Sequence, residues 1–209
     1  MHPIGRKELW HAQATLLAAV ILQLIITNDL RVGSKYIIAI LEMLLVLGIG
    51  LTAPRRHSGA GQINRSISLL LIGIISFANA GALILLINAL INGSTIPGHD
   101  LLVGALAIFI TNIIMFGLWF WEIDSPGLSG THKSGNTVHF QFPQMQNSAS
   151  GWRPTFFDYL YVSITNGSAF SPTDTLPLTH VAKSLMSVQA LISLLTVVLV
   201  TARAVNILA

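Results

Sequence analysis

Long apolar stretches separated by short polar segments dominate the hydropathy pattern of this chain. A membrane-spanning helix needs roughly 20 mostly apolar residues. The stretches that meet this requirement are residues 9–27, 36–53, 67–91, 101–123 and 181–208. The fourth ends in the cluster Trp119, Phe120 and Trp121, and indole rings prefer the headgroup level of a bilayer. The pattern predicts an all-α membrane protein with about five transmembrane helices.

A different kind of segment separates the fourth and fifth stretches. Residues 124–154 are rich in Gly, Ser, Asn, Gln and Pro, which predicts a loop outside the lipid. Residues 156–164 are apolar, but this run is long enough for only two or three helical turns. The polar residues 166–168 follow at once and cannot face lipid. This order is typical of a re-entrant helix and loop, which needs surrounding protein or water; an interfacial helix with a surface turn explains it equally well.

The composition indicates that lipid is the solvent. Hydrophobic residues make up 53% of the 209 positions and charged residues 9%, with a mean hydropathy of +0.71. A soluble domain carries about 25% charged residues. The absence of cysteine excludes disulfides, thiolate metal sites and thiol catalysis. The net charge of +3 is the balance of 11 Lys and Arg against 8 Asp and Glu. The basic residues lie mostly at helix ends, which indicates membrane orientation rather than nucleic-acid binding.

The segment after residue 155 resembles a known family. Asp174, Pro177 and Thr179 fit the Asp-x-x-Pro-x-Thr tail that follows the Thr-Val-Gly-Tyr-Gly filter in potassium-channel-like, tetrameric pore-loop channels. The short pore helix of many such channels reads like D-x-L-Y-F-S, and the matching residues here are Asp158, Leu160, Tyr161 and Ser163. The similarity covers roughly residues 156–207, a quarter of the chain. It implies a homo-oligomer, a tetramer by resemblance, assembled around the last helix.

The same part of the chain is also similar to a family of bacterial multi-pass membrane proteins of unknown function. These proteins carry a Phe-Pro loop, an Asp-Phe-Leu-Tyr helix and a Gly-containing turn that ends in Ser-Asp. Here Phe142-Pro143, residues 158–161, Gly167 and Thr173-Asp174 fit that outline. Both similarities imply a cell-membrane location, the inner membrane if the chain is bacterial.

The filter-like loop differs from a potassium filter. Its positions are Ala169, Phe170, Ser171, Pro172, Thr173 and Asp174. A potassium filter replaces the hydration shell of the ion with backbone carbonyls, and its glycines permit backbone angles closed to other residues. Both glycines are missing, Pro172 fixes φ, and Thr173 disfavours positive φ. We therefore expect no potassium selectivity, and Ser171, Thr173 and Asp174 side chains to line any constriction.

The last helix carries one polar stripe. Gln189, Ser193, Thr196 and Arg203 are separated by 4, 3 and 7 residues, which puts them on one helix face. Such a stripe faces either water or a partner helix. Pore lining and helix packing are therefore both open for these residues.

Other polar residues lie within the predicted spans. Glu42 is the only carboxylate well inside one, and a charge at that depth is a functional-site hypothesis by default. Three roles are open for it: an ion or proton site, a partner for Arg203, and a protonated group bonded to a backbone carbonyl. Asn79, Asn88 and Asn112 are expected to hydrogen-bond between helices.

No motif for catalysis, a metal or a cofactor is evident. The seven histidines lack metal-ligand spacing, Gly59-x-Gly61 is too short for a phosphate loop, and no serine lies in a nucleophile elbow. We expect a protein that is not an enzyme and needs no cofactor or metal. Its expected partners are the lipid bilayer and further copies of itself.

The chain divides into a four-helix transmembrane region (1–123), a polar loop (124–154) and a unit of pore helix, filter-like loop and last helix (155–209). The favoured function is a pore-loop ion channel that is not potassium-selective. One alternative is a small-solute or ion transporter that uses Glu42 at the membrane midplane. Another is a non-conducting, channel-like membrane assembly.

The orientation rule and the channel resemblance disagree. With five spans and a cytoplasmic N-terminus, eight Lys and Arg lie inside and three outside. That orientation puts the re-entrant segment in the cytoplasm, whereas a potassium-type channel has its filter outside. Three explanations are open: an inverted pore loop, an early segment that lies along the interface, and a chain that departs from the positive-inside rule.

Overall fold

Five α-helices and a short β-ladder form the described part of this protein, whose structure is a computed structural model. The structure describes residues 6–25, 40, 43, 61–92, 96–124, 138–146, 152–169, 171 and 174–208. The helices are α1 (Arg6–Ile25), α2 (Gly61–Ile91), α3 (Gly98–Asp124), α4 (Phe156–Ala169) and α5 (His180–Leu208). The other elements are β1 (Phe140–Gln141), a 3-10 helix (Pro143–Gln146) and β2 (Leu176–Pro177).

Among the described residues, three helices are long and apolar enough to cross a membrane. They are Leu69–Ile91 in α2, Gly98–Asp124 as α3, and His180–Arg203 in α5. They agree with the third, fourth and fifth predicted stretches to within a few residues and support the prediction of a helical membrane protein. The first stretch overlaps α1. The second, 36–53, lies outside the described residues apart from Ile40 and Met43.

The central helix of the bundle is α3, which contacts α1, α2, α4 and α5. In the apolar 18-residue window of α3, 67% of the residues are buried, against 39% in that of α2 and 22% in that of α5. Its small residues Ala105 and Ala107 pack against Leu83 and Leu86 of α2 in an apolar cluster, because short side chains let two helices approach closely. By contrast, α5 leaves most of its apolar surface available to lipid or to another protein.

The aromatic cluster at the end of α3 packs against protein. Phe120 and Trp121 are fully buried, and only Trp119 is partly exposed. The ring of Trp121 packs on Phe156 of α4, and that of Phe120 on Phe140 of β1, each with centroids 5.1 Å apart. Buried aromatic area therefore accounts for these two residues, and the interface level that the sequence predicts for the cluster stays a prediction.

Two of the three asparagines predicted to link helices do so. Asn79 of α2 donates its Nδ2 to the carbonyl of Ile108 on α3, at 3.1 Å, and Asn112 of α3 bonds to α5. Within the described part of the chain Asn88 is exposed, and its hydrogen bond comes from Asn92, just past the end of its own helix.

Candidate functional site

Helix α4 starts with one half of a capping box, in which a side chain of the first turn accepts from the residue before the helix. Asp158 Oδ2 accepts hydrogen bonds from the backbone N–H and the hydroxyl of Thr155, both at 2.7 Å. The N–H of Asp158 donates in return to the Thr155 carbonyl, at 3.1 Å. A carboxylate in the first turn satisfies donors that a helix N-terminus leaves free. Asp158, which the channel resemblance assigns to a pore-helix motif, therefore has a structural role in starting α4.

The start of α4 is fixed to the end of α3 by Asp124. The Tyr159 hydroxyl donates to Asp124 Oδ2 at 2.8 Å. Asp124 Oδ1 accepts from the backbone N–H groups of Phe140, at 3.2 Å, and His139. One carboxylate at this end of the bundle thus joins α3, α4 and the segment that forms β1.

The start of α5 lies at the same end. Antiparallel pairing sets Phe140 of β1 opposite Pro177 of β2. The Leu178 N–H donates to the His139 carbonyl at 2.8 Å, and His139 Nδ1 lies 2.6 Å from Thr179 Oγ1. The chain therefore enters α4 and begins α5 at one end of the protein.

Helix α4 runs back along the C-terminal half of α3. A Cβ at Gly117 would lie 3.3 Å from the Leu160 Cα, so the two backbones nearly touch. Deeper in the bundle the Ser163 hydroxyl donates to the Ile113 carbonyl at 2.6 Å. Ile113 is 11 positions from Asp124, or about 16 Å along a helix. This depth is about half of the roughly 30 Å apolar core of a bilayer.

Five buried polar side chains hold α4 against α3 and α5. They are Asn112, Ser163, Asn166, Gln189 and Ser193, each at most 4% exposed. Gln189 Nε2 donates to the Ser163 carbonyl at 2.8 Å and to its hydroxyl at 2.7 Å. Gln189 Oε1 accepts from Asn166 Nδ2 at 2.8 Å, and Asn112 Nδ2 donates to Ser193 Oγ at 3.0 Å. This network connects three helices through polar groups that lipid could not satisfy.

Gly167 lets α4 approach both neighbouring helices. A Cβ at this position would lie 3.1 Å from Ser193 Oγ, 3.3 Å from Ile113 Cγ1 and 3.4 Å from Gln189 Nε2. The first two distances are shorter than ordinary van der Waals contact. A larger side chain would therefore push α4 away from the polar network.

Helix α4 continues beyond the predicted end at residue 164. Residues 166–168, predicted as a polar return, are helical, and the first filter-like position, Ala169, is the last residue of α4. The physical reason is that Asn166 finds its partners on α5, and Ser168 bonds to the Ile164 carbonyl of its own helix. These polar groups therefore do not require a loop.

The remaining filter-like positions are only partly described. Ser171 and Asp174 are exposed, and Asp174 lies in a turn before β2. Phe170, Pro172 and Thr173 lie outside the described residues, as does Glu42.

The polar stripe of α5 faces the interior of the chain. Gln189, Ser193 and Thr196 are each 0% exposed and lie on the side of α5 that packs against the rest of the bundle. The sequence is compatible with both pore lining and helix packing, and in the structure these three residues take part in helix packing. Arg203 lies apart from the network, near the far end of the bundle.

The opposite face of α5 carries residues that sequence analysis did not single out. They are exposed and spaced 3, 4, 3, 4 and 3 positions apart: Ser184, Ser187, Leu191, Leu194, Val198 and Thr201. The signal was present in the sequence as a heptad-like repeat. It was hidden because almost every position of this helix is apolar.

Comparisons with protein-family models, with curated proteins and with solved structures found no match to this chain.

Proposed function

We propose that this chain is the subunit of a homo-oligomeric, multi-pass ion channel of the cell membrane, with a pore loop that is not potassium-selective. The observation that carries the proposal is the path of α4. It starts beside Asp124, extends about 16 Å along α3, and is followed by a chain that comes back to the same end before α5. A half-depth helix with a returning loop is viable in a membrane only where protein or water surrounds it.

The loop after α4 forms the constriction in this proposal. Helix α4 ends at Ala169, and the five positions from 170 to 174 contain no glycine. Side chains of Ser171 and Asp174 then face the permeating ion in place of ordered carbonyls. A ring of carboxylates at the Asp174 position would favour cations over anions.

The proposed wall of the pore is the exposed heptad-like face of α5. Repeats of three and four positions let identical helices pack around a common axis. Four copies follow from the resemblance to tetrameric channels. On the other side of α5, the buried Gln189 bonds to α4 and the buried Ser193 bonds to α3.

Five crossings complete the proposed topology. The three helices long enough to span a membrane supply three of them, and stretches 9–27 and 36–53 supply the others. A reporter fused to the C-terminus tests this arrangement. Activity only outside the cytoplasm supports five crossings with an inverted pore loop, whereas cytoplasmic activity overturns that orientation.

The absence of native cysteine makes conduction directly testable. Purified S171C in planar bilayers is treated with a positively charged thiol reagent, and the cation current is recorded before and after. We expect the current to fall by at least half, because each subunit adds a positive charge beside the pore. The matched control is N92C. Asn92 is an exposed residue just after α2, at the end of the bundle opposite Asp124, and its modification should leave the current unchanged.

Other outcomes separate the alternatives. Protein that is monomeric in detergent, or electrically silent under all ions and voltages, would overturn the channel proposal. The transporter alternative predicts that E42Q abolishes uptake while modification of S171C has no effect.

A further inference from the structure

Helix α5 extends well beyond the depth at which α4 ends. A Cβ at Gly167, two positions before the end of α4 at Ala169, would lie 3.1 Å from Ser193 Oγ on α5. The apolar span of α5 continues from Ser193 to Arg203, or about 15 Å along a helix. In the proposed channel, an ion that passes the loop after α4 therefore also has to pass this second half of α5.

Bulky aliphatic side chains cover the exposed face of this second half. Leu194 and Val198 of the heptad-like face are both exposed. The next residue of that face is Thr201, whose hydroxyl donates to the Val197 carbonyl of its own helix at 2.9 Å. Neither Leu194 nor Val198 offers a side-chain polar atom that could replace the water around an ion.

Heptad-like packing closes the axis of a helical assembly wherever the repeated positions are bulky. In coiled coils the side chains at these positions meet along the common axis and fill it. The repeat that lets copies of α5 pack together therefore brings Leu194 and Val198 of every copy to the centre. A narrow apolar passage of this kind loses its water and stops ions.

The backbone of α5 limits how such a passage can open. Helix α5 is continuous from His180 to Leu208, and this range contains no glycine or proline. Sharp helix kinks arise mostly at these residues or at an inserted extra residue. We therefore expect the passage to widen by a movement of whole α5 helices rather than by a bend within each one.

We propose that Leu194 and Val198 form an apolar gate, which keeps the channel closed for most of the time and opens when the α5 helices move apart. This inference rests on the proposed channel function and adds the regulation of the same pore. It assigns a role to two uncharged residues that lie apart from the filter-like loop. A hydroxyl placed in this layer should keep water in the passage and favour the open state.

Replacing valine by threonine tests the gate, because threonine has nearly the shape of valine and adds one hydroxyl. V198T is introduced into the S171C protein, and single-channel cation currents are recorded in planar bilayers. Block by the positively charged thiol reagent identifies the current that passes the loop after α4. We expect V198T to raise the open probability about tenfold, because each subunit adds a hydroxyl to a layer that otherwise sheds its water.

The matched control is V197T in the same S171C protein. Val197 is also exposed, but it lies about 100° around the helix from Val198 and outside the heptad-like face. V197T should therefore leave the open probability unchanged. L194S keeps the test valid if V198T folds poorly, and it should raise the open probability as well.

The outcomes separate the gate from the channel. Equal open probabilities of V198T, V197T and the parent S171C protein, in a current that the reagent still blocks, would overturn the gate and leave the channel proposal standing. The absence of any current that the reagent blocks, in the parent protein and in all three variants, would overturn both.

Discussion

Gln189 on α5 donates its Nε2 to the backbone carbonyl of Ser163 on α4, at 2.8 Å across 26 positions of sequence. The hydroxyl of the same serine donates to the Ile113 carbonyl on α3. One residue of α4 is therefore bonded to both long helices beside it. This connection fixes the depth of α4 and, with it, the point where the filter-like loop begins.

Replacing Gln189 by leucine should destabilise the protein by about 1–3 kcal/mol, because Ser163 and Asn166 each lose one buried hydrogen-bond partner. Reversible unfolding in mixed micelles measures the loss. The control is S187A on the exposed face of α5, whose hydroxyl bonds only within its own helix, and which should change stability by less than about 0.5 kcal/mol. Equal effects of the two variants would contradict the role of the network.

Two helical glycines should respond in opposite ways to alanine. G117A should destabilise the protein, because its Cβ would meet the Leu160 backbone at 3.3 Å and force α3 and α4 apart. G73A serves as the matched control, since its nearest contact is Trp119 at an ordinary 3.6 Å. It should gain up to about 1 kcal/mol, because alanine gives the unfolded chain less conformational entropy to lose on folding. Thermal unfolding of both variants in one detergent decides the matter, and a stabilising G117A would refute the close packing of the two helices.

Asp124 and Tyr159 should be energetically coupled. A double-mutant cycle of D124A and Y159F should give an interaction energy of about 0.5–3 kcal/mol, because the two side chains share a 2.8 Å hydrogen bond. D124A alone should cost more than Y159F, since it also removes the acceptor for the His139 and Phe140 N–H groups. A parallel cycle with Y161F, an exposed tyrosine on the same helix, should show additivity. Additive behaviour of Y159F with D124A would exclude the proposed anchor.

Asp158 should act on stability and not on ion permeation. D158A removes the acceptor of both Thr155 donors and should cost about 1 kcal/mol, as expected for loss of a helix cap. D174N, in the exposed turn, should instead lower cation current in bilayers. A change of ion selectivity in D158A at unchanged stability would contradict this prediction and indicate that Asp158 lines the conduction path.

The sequence by itself determined which segments can exist in lipid. Three long apolar runs became α2, α3 and α5, because hydropathy and length are properties of the chain alone. The start of α4 was also present in the sequence, since Thr155 and Asp158 have capping-box spacing. The apolar run that follows marked this segment as too short to cross.

Only the tertiary structure decided where α4 ends and which way the polar groups point. A loop was predicted at Asn166 because its side-chain amide cannot face lipid. In the structure that amide donates hydrogen bonds to Gln189 and to the Met186 carbonyl, and the helix continues to Ala169. The same amide–glutamine contact turns the polar stripe of α5 inward. A sequence shows that a buried polar group needs a partner, but only the fold supplies one. Because the polar face of α5 found its partners on α3 and α4, the opposite face of α5 remains exposed.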